Sequence, residues 1–568
     1  MMLRSLLLAA CLTCLPISSA RSAEPDLRTE RARILGDYLA GSYARYLNDP
    51  KAQSRFYQDA FVLAPDDIRI GRLALYSALF AGDQALARET AARILETDPD
   101  ESMARAIMSV DAFARGRTAR VRKFATKPTA DFTMGQAMKI VLGWTLVDEG
   151  KYARAREVFG DMGDSAYFGA LGQLQIAKME AQQGNMSEAR KAFDLVAASG
   201  VAPQEYTLAR ARFEAASGDV QGAKARLKAA IADNGRADIG PAGAYLRRLD
   251  AGKRLPRLSE KAQAARALTE PAFGFFVRRK SADGAETFLR FSRWIDPDYD
   301  LSALWLGGLI EETHPDIDPG TRDDVLELYQ SIDERSSYFV NAQMSVANIY
   351  FDQEEDERAL VILEALAESH PSYFTREVLG RARFFREQWA EALPFYDALV
   401  ESLSSDELRI NPEPLRLRGI IFERLDRWSE AEADFKRVLD YQPDDSQTLN
   451  YLGYTWVDRG EHLDEAFTLI ERAVELEPES GAIVDSLGWA HYKLGRYAEA
   501  KTHLETAVLL TPYSATIIDH LGDAYWRLGR KREATYQWQR ALEYDPTDEE
   551  RVAIQAKLDA GVDAVPAS

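Results

Sequence analysis

Residues 485–546 read DSLGWAHYKLGRYAEAKTHLETAVLLTPYSATIIDHLGDAYWRLGRKREATYQWQRALEYDP. Two Leu-Gly pairs, Leu487-Gly488 and Leu521-Gly522, stand 34 residues apart. After each Gly the same residue types return in order: a small residue (Ala500, Ala534), a bulky one (Leu504, Trp538), a second Ala (Ala507, Ala541) and a Pro (Pro512, Pro546). Leu452-Gly453 opens an earlier copy, with Ala466, Ile470, Ala473 and Pro478. A recurrence of this length marks one helical unit stacked many times. A small residue on the first helix lets the second helix approach closely, the bulky residue fills the space between them, and Pro ends the unit because it cannot continue a helix.

Projected backward, the register holds with decreasing strength. Gly419 has Ala431, Phe435 and Pro443; Gly380 has Ala392 and Tyr396; Ala347 has Ala359, Leu363 and Pro371. Farther upstream the small-residue position falls at Gly41, Leu75, Ser109, Gly143, Ala177 and Ala211, each 34 apart, and the repeat at Ser109 is supported mainly by spacing. The pattern lapses over 232–272, where Pro241, Pro256 and Pro271 fall, and returns with Ala285, Pro297 and Gly307.

The pattern resembles the tetratricopeptide repeat, a 34-residue pair of antiparallel helices. The resemblance covers most of the chain and is most specific over residues 340–546. It implies an all-α fold, a right-handed superhelical solenoid of antiparallel helix pairs in which each repeat buries its apolar face on its neighbours. The expected organisation is a signal peptide at 1–20, a divergent N-terminal array at 21–231, an irregular inter-array segment at 232–272, a C-terminal array at 273–550 and a tail at 551–568.

The chain has 568 residues, 70 basic and 90 acidic, for a net charge of −20. Residues 1–300 carry +7 and residues 301–568 carry −27. The overall balance argues against a nucleic-acid binder, which needs a basic footprint. The opening MMLRSLLLAACLTCLPISSA has a basic residue, Arg4, then an apolar stretch and small residues at Ser18 and Ala20. It reads as an export signal cleaved after Ala20, which predicts a periplasmic or exported protein. Leu8-Ala9-Ala10-Cys11 also matches a lipoprotein signal, so an outer-membrane lipoprotein anchored at Cys11 is the alternative, and the short lead before Cys11 disfavours it. No later stretch is long and apolar enough to span a membrane.

Signatures of catalysis and cofactor binding fail residue by residue. Tyr167 stands where a nucleophile elbow beginning at Gly163 needs Gly. Asp296, Asp298 and Asp300 begin like a calcium loop, but Leu301 and Gly307 stand where Gly and a bidentate Glu are required. The six His form no pair at metal-ligand spacing on one helix. The reading is therefore a non-enzyme with no cofactor and no metal.

In this repeat family the concave face is lined by the first helix of each pair. Carried onto this chain, the candidate groove residues are Phe374, Glu377, Arg381 and Phe384; Asn450, Tyr454 and Asp458; Asp485, Trp489 and Tyr492; and Asp519, Asp523, Trp526 and Arg527. Aromatic anchors and carboxylates would select a protein or peptide partner with basic groups. A basic patch at Arg115, Arg117, Arg120, Arg122 and Lys123 would suit an acidic partner or an anionic envelope surface. The layout also resembles the long tetratricopeptide proteins of the bacterial envelope, some of them outer-membrane lipoproteins that present substrates to a periplasmic carboxyl-terminal processing protease. That resemblance implies a non-catalytic adaptor or scaffold with such a protease as partner. A glycan- or polymer-binding factor in wall or polysaccharide assembly is the alternative suggested by the aromatic face and the basic patch.

Overall fold

The computed structural model describes residues 27–163, 165–201, 203–233, 240–279, 281–313 and 319–564. The expected export signal, with Cys11, and the end of the tail lie outside the described residues. Among those described there are 31 α-helices, one 3-10 turn and no strand. Consecutive helices pack pairwise as antiparallel hairpins and stack into a solenoid, as the period predicted.

Local chemistry sets the helix ends. Asp49, Asp67, Asp83, Asp131 and Asp445 each precede a helix and accept a hydrogen bond from its first-turn N–H groups, which have no partner within the helix. The turn inside each hairpin needs a left-handed residue. It is Gly at 82, 116, 150, 184, 218 and 252, a spacing of 34, with φ between 67° and 96°. Only glycine adopts that backbone without strain. This series fixes the N-terminal register better than the small-residue position does, and Gly116 sits correctly in the weak Ser109 repeat. Gly252 carries the register into 232–272, expected as irregular. There, helix Pro241–Asp250 begins at Pro241, and the following helix, Glu260–Arg279, includes Pro271. Proline at a first helical position is favourable, because its missing N–H would have gone unpaired anyway.

The hairpins close as the small-to-large pattern required. A Cβ added to Gly419 would lie 2.7 Å from the Phe435 ring, and one added to Gly453 would lie 2.7 Å from Ile470 and 2.9 Å from the carbonyl oxygen of Ala466. Tyr57, Phe159, Phe193, Phe435 and Trp538 are fully buried in the matching positions of their own repeats. The chain divides into two compact units, Met1–Glu355 and Asp356–Ser568.

Two substitutions of opposite sign test this account. Gly453→Ala places a methyl against backbone, so overpacking of about 2–3 kcal/mol should outweigh the ~1 kcal/mol gained in helix propensity and lower the denaturant midpoint. Glu387 occupies a left-handed turn position at φ 58° and is exposed. Glu387→Gly should stabilise the protein by roughly 1 kcal/mol and raise the midpoint. Equilibrium unfolding in urea reads both.

Candidate functional site

In the Met1–Glu355 unit the inner face is filled by the chain itself. Helices Glu260–Arg279 and Ala282–Ile295 pack on Ile68–Phe80, Ser102–Ala114 and Phe132–Asp148, which are first helices of successive repeats. Polar contacts pin them. The Tyr167 hydroxyl donates to the Glu270 carbonyl at 2.6 Å, Thr269 meets Ser292 at 2.9 Å, and the Lys261 amine donates to the Ala114 carbonyl. Ser102–Ala114 is accordingly buried on almost every side, from Met103 to Phe113.

A buried charge cluster lies at this junction. The Glu270 carboxylate accepts the backbone N–H groups of Gln204 at 2.7 Å and Glu205 at 2.6 Å, beside the start of helix Tyr206–Ala216. Burial pushes its pKa up to about 7, with the Glu205 charge adding to the rise and the two N–H bonds and Lys178 opposing it. Burial alone would raise the Glu205 carboxyl as well, but Lys178, Arg212 and Arg266 hold it down at about 2. Lys178 and Arg212 both bond to Glu205.

In the Asp356–Ser568 unit the candidate residues sit on Tyr373–Phe384, Ser446–Arg459, Gly481–Lys493 and Ala515–Arg527. The structure joins several of them. His520 Nδ1 lies 2.9 Å from the Asp485 carboxylate, and its ring stacks on Trp489 at 4.0 Å between centroids. Trp489 stacks in turn on Tyr492 at 4.7 Å, and the Tyr492 hydroxyl accepts from Arg527 Nε at 3.2 Å. Burial alone would lower the His520 pKa, but the Asp485 charge outweighs it and raises it, so the imidazole is held toward its charged form. Lys493 pairs with Asp458 at 3.1 Å and lies over Trp489.

Asp519 and Asp523 are engaged by Lys557, which comes from the last helix, Asp548–Ala560, at 2.6 and 2.8 Å. Trp538 Nε1 donates to Asp523 at 3.0 Å. Burial, then the Asp519 charge, pushes Asp523 up to about 6, against the pull of Lys557. The acidic pair expected to select basic groups thus already holds an ammonium supplied by the chain. Trp489 is buried rather than projecting, and Trp526 packs against Trp538 and beneath Lys531.

More exposed residues of this unit lie around the end of helix Tyr373–Phe384. Phe385 projects with 69% of its surface exposed, beside Phe384. Arg381 stands between Glu377 at 3.7 Å and Glu413 at 3.5 Å. Tyr454, Asn450 and Phe374 are half-buried, and burial with the nearby Asp458 charge raises the Tyr454 pKa. In the other unit, the basic patch lies at the end of Ser102–Ala114 and on Thr118–Ala125. Arg115 pairs with Asp111 at 2.8 Å and Arg122 with Glu149, while Lys123 covers its neighbour Phe124. Arg117 and Arg120 are exposed.

Sequence reasoning missed Lys557, Glu270 and Lys178. One signal was available for the filled face: LGWTLV at 142–147 and LGQLQIA at 171–177 carry more apolar character than a groove open to water would tolerate.

Comparison with known proteins places tetratricopeptide-repeat family models on residues 140–203, 416–481 and 485–514. Those segments are tetratricopeptide repeats, and the described helices on either side of them continue the same helix-hairpin solenoid. A TPR repeat-containing protein, PA4667, of Pseudomonas aeruginosa is 34% identical over 138 residues, covering 22% of this chain and 23% of the relative, so the match spans about a quarter of that relative's length. Among solved structures, a tetratricopeptide repeat protein from Parabacteroides merdae matches 52% of this chain and 98% of its own at 16% identity and a TM-score of 0.33. The APC/C hetero-tetramer Cut9-Hcn1 matches 95% of this chain and 98% of its own at 14% identity and a TM-score of 0.35.

Lys557→Met leaves two buried carboxylates without their cation. It should cost about 3–5 kcal/mol at pH 8, and less at pH 5, where Asp523 takes up a proton. Denaturant melts at the two pH values measure the difference. For Glu270 the folded-state pKa of about 7 lies above the ordinary carboxylate value of 4.5, so the folded protein binds more protons than the unfolded chain between those values. Its contribution to stability therefore falls as pH rises from about 4.5 through 7. Glu270→Gln should remove that fall, read as a flatter profile of melting temperature against pH between 5 and 8.

Proposed function

We propose that the protein is a non-catalytic adaptor of the bacterial envelope that binds a partner protein or peptide on the inner face of its Asp356–Ser568 unit. The observation that carries this is the contrast between the two inner faces. In the first unit that face is covered by helices of the same unit, whereas in the second it presents an exposed Phe385 beside Arg381, Glu377 and Glu413. An aromatic ring next to a charged residue that can exchange partners is the composition of an interface anchor. The tetratricopeptide repeats support a protein ligand. Export, expected from the opening twenty residues, supports a periplasmic setting, and the resemblance to envelope adaptors makes a carboxyl-terminal processing protease the first partner to test.

The test uses the full chain. A photo-crosslinking residue at position 385 should give one discrete adduct in envelope extracts, and the same residue at Tyr536, exposed on a second helix, should not. The purified partner should then bind the wild-type protein, with Phe385→Ala combined with Arg381→Ala weakening the affinity at least about tenfold, roughly 1.4 kcal/mol. Equal adducts at both positions, or unchanged affinity in the double variant, would remove this face as the binding site.

A further inference from the structure

The first unit holds a cleft of about 880 Å³ that the repeat architecture does not require. Its walls come from four parts of the chain: the region of Arg45–Lys51 and helix Ile68–Phe80, the start of helix Phe132–Asp148 with Asp131, helix Ala282–Ile295, and helices Asp300–Thr313 and Pro319–Gln330. Tyr76, Phe80, Trp294 and Leu306 supply apolar surface. That volume lies within the range of sites that enclose a small organic molecule.

The charges in the wall are not all paired. Lys51 is held by Asp324 at 2.7 Å and Arg290 by Glu286 at 2.7 Å. Asp131 caps helix Phe132–Asp148 by accepting the Met134 N–H at 3.0 Å. Arg293 is different. Among the described residues its guanidinium has no hydrogen-bond or ion-pair partner, and its Nη1 is shut off from solvent. Burial, and then the neighbouring charge of Arg290, lower its pKa; Asp300 and Glu327 act in the opposite sense, and Asp300 is itself bonded to Ser336. A buried donor without an acceptor forfeits its hydrogen bonds to water, so an arginine in this state is matched by an oxyanion. Asp283 and Glu327, on the same walls, are exposed carboxylates with no ion pair among the described residues.

We propose that this cleft binds a free amino acid or short peptide, with its carboxylate on Arg293, its ammonium toward Asp283 and Glu327, and its side chain against Tyr76, Phe80 and Trp294. Two cations without an ion pair among the described residues, the largely buried Arg293 and the exposed Arg45, and two acids without one, Asp283 and Glu327, match a ligand carrying both charges. A simple anion would leave the two acids opposed to it, and a simple cation would leave Arg293 unsatisfied. The site is separate from the inner face of the second unit and does not depend on that face binding anything.

The experiment is calorimetric titration of the full-length protein with a set of Ala-Xaa-Ala tripeptides and with the same peptides as C-terminal amides. At least one free acid should bind with a dissociation constant below about 1 mM, and its amide should bind at least about tenfold more weakly. Arg293→Gln should bind that acid at least tenfold more weakly and lose the distinction between acid and amide. Glu327→Gln, a change at an exposed position, should weaken the free peptide but not its N-acetylated form. Absence of binding by every peptide, equal binding of acid and amide to the wild type, or unchanged discrimination in Arg293→Gln would each overturn the proposal. If Arg293→Gln does not fold, as judged by its circular dichroism, the acid–amide comparison in the wild type and the Glu327→Gln result decide it.

Discussion

The architecture depends on one close approach, repeated along the chain: a residue with little or no side chain on the first helix of each hairpin faces a ring or branched chain on the second. Where Gly453 meets Ile470 or Gly419 meets Phe435, a single added carbon has nowhere to go. This contact fixes how near the two helices lie and so how the next hairpin can dock. Each repeat is stable only through its neighbours, and the small-to-large pairing is what makes those neighbours fit.

That constraint explains why the C-terminal repeats were legible and other features were not. The pairs Gly453–Ile470, Gly488–Leu504 and Gly522–Trp538 could be named from spacing, and the structure brings each together. Upstream, the small position drifts to Leu75 and Ser109, and the register survives instead in the left-handed turn glycines. The segment 232–272 looked irregular because its prolines were read as breaks, whereas Pro241 begins a helix and Pro271 lies within one. The long-range placements were not legible at all. Period and spacing describe how a repeat meets the next one. They carry no information about Glu270 reaching the start of Tyr206–Ala216, 65 residues away, or Lys557 reaching back to Asp523.

Both units use buried charge in the same way. An acid or base delivered by a later helix satisfies groups that an earlier set of helices leaves facing inward: Glu270 on two backbone N–H groups, Lys557 on two carboxylates. Such pairs add little net stability over an apolar contact, but a mismatched partner is heavily penalised, so they specify which helix belongs in which place. In a fold built from near-identical hairpins, apolar packing alone would tolerate a shift by one repeat, and these charges do not.

The left-handed turn has a further consequence. In three successive repeats it is occupied by Glu354, Glu387 and Asp426, not glycine, with φ of 61°, 58° and 58°. Each such residue carries strain of roughly 1–2 kcal/mol that its glycine counterparts at 460, 495 and 529 escape. In a stack where stability is nearly a sum over neighbours, strain placed in consecutive repeats sets where the array opens first. Amide hydrogens in the helices from Phe339–Asp352 to Trp428–Tyr441 therefore exchange ahead of those from Ser446 onward, and the hairpins nearest the exposed Phe385 are the ones that breathe.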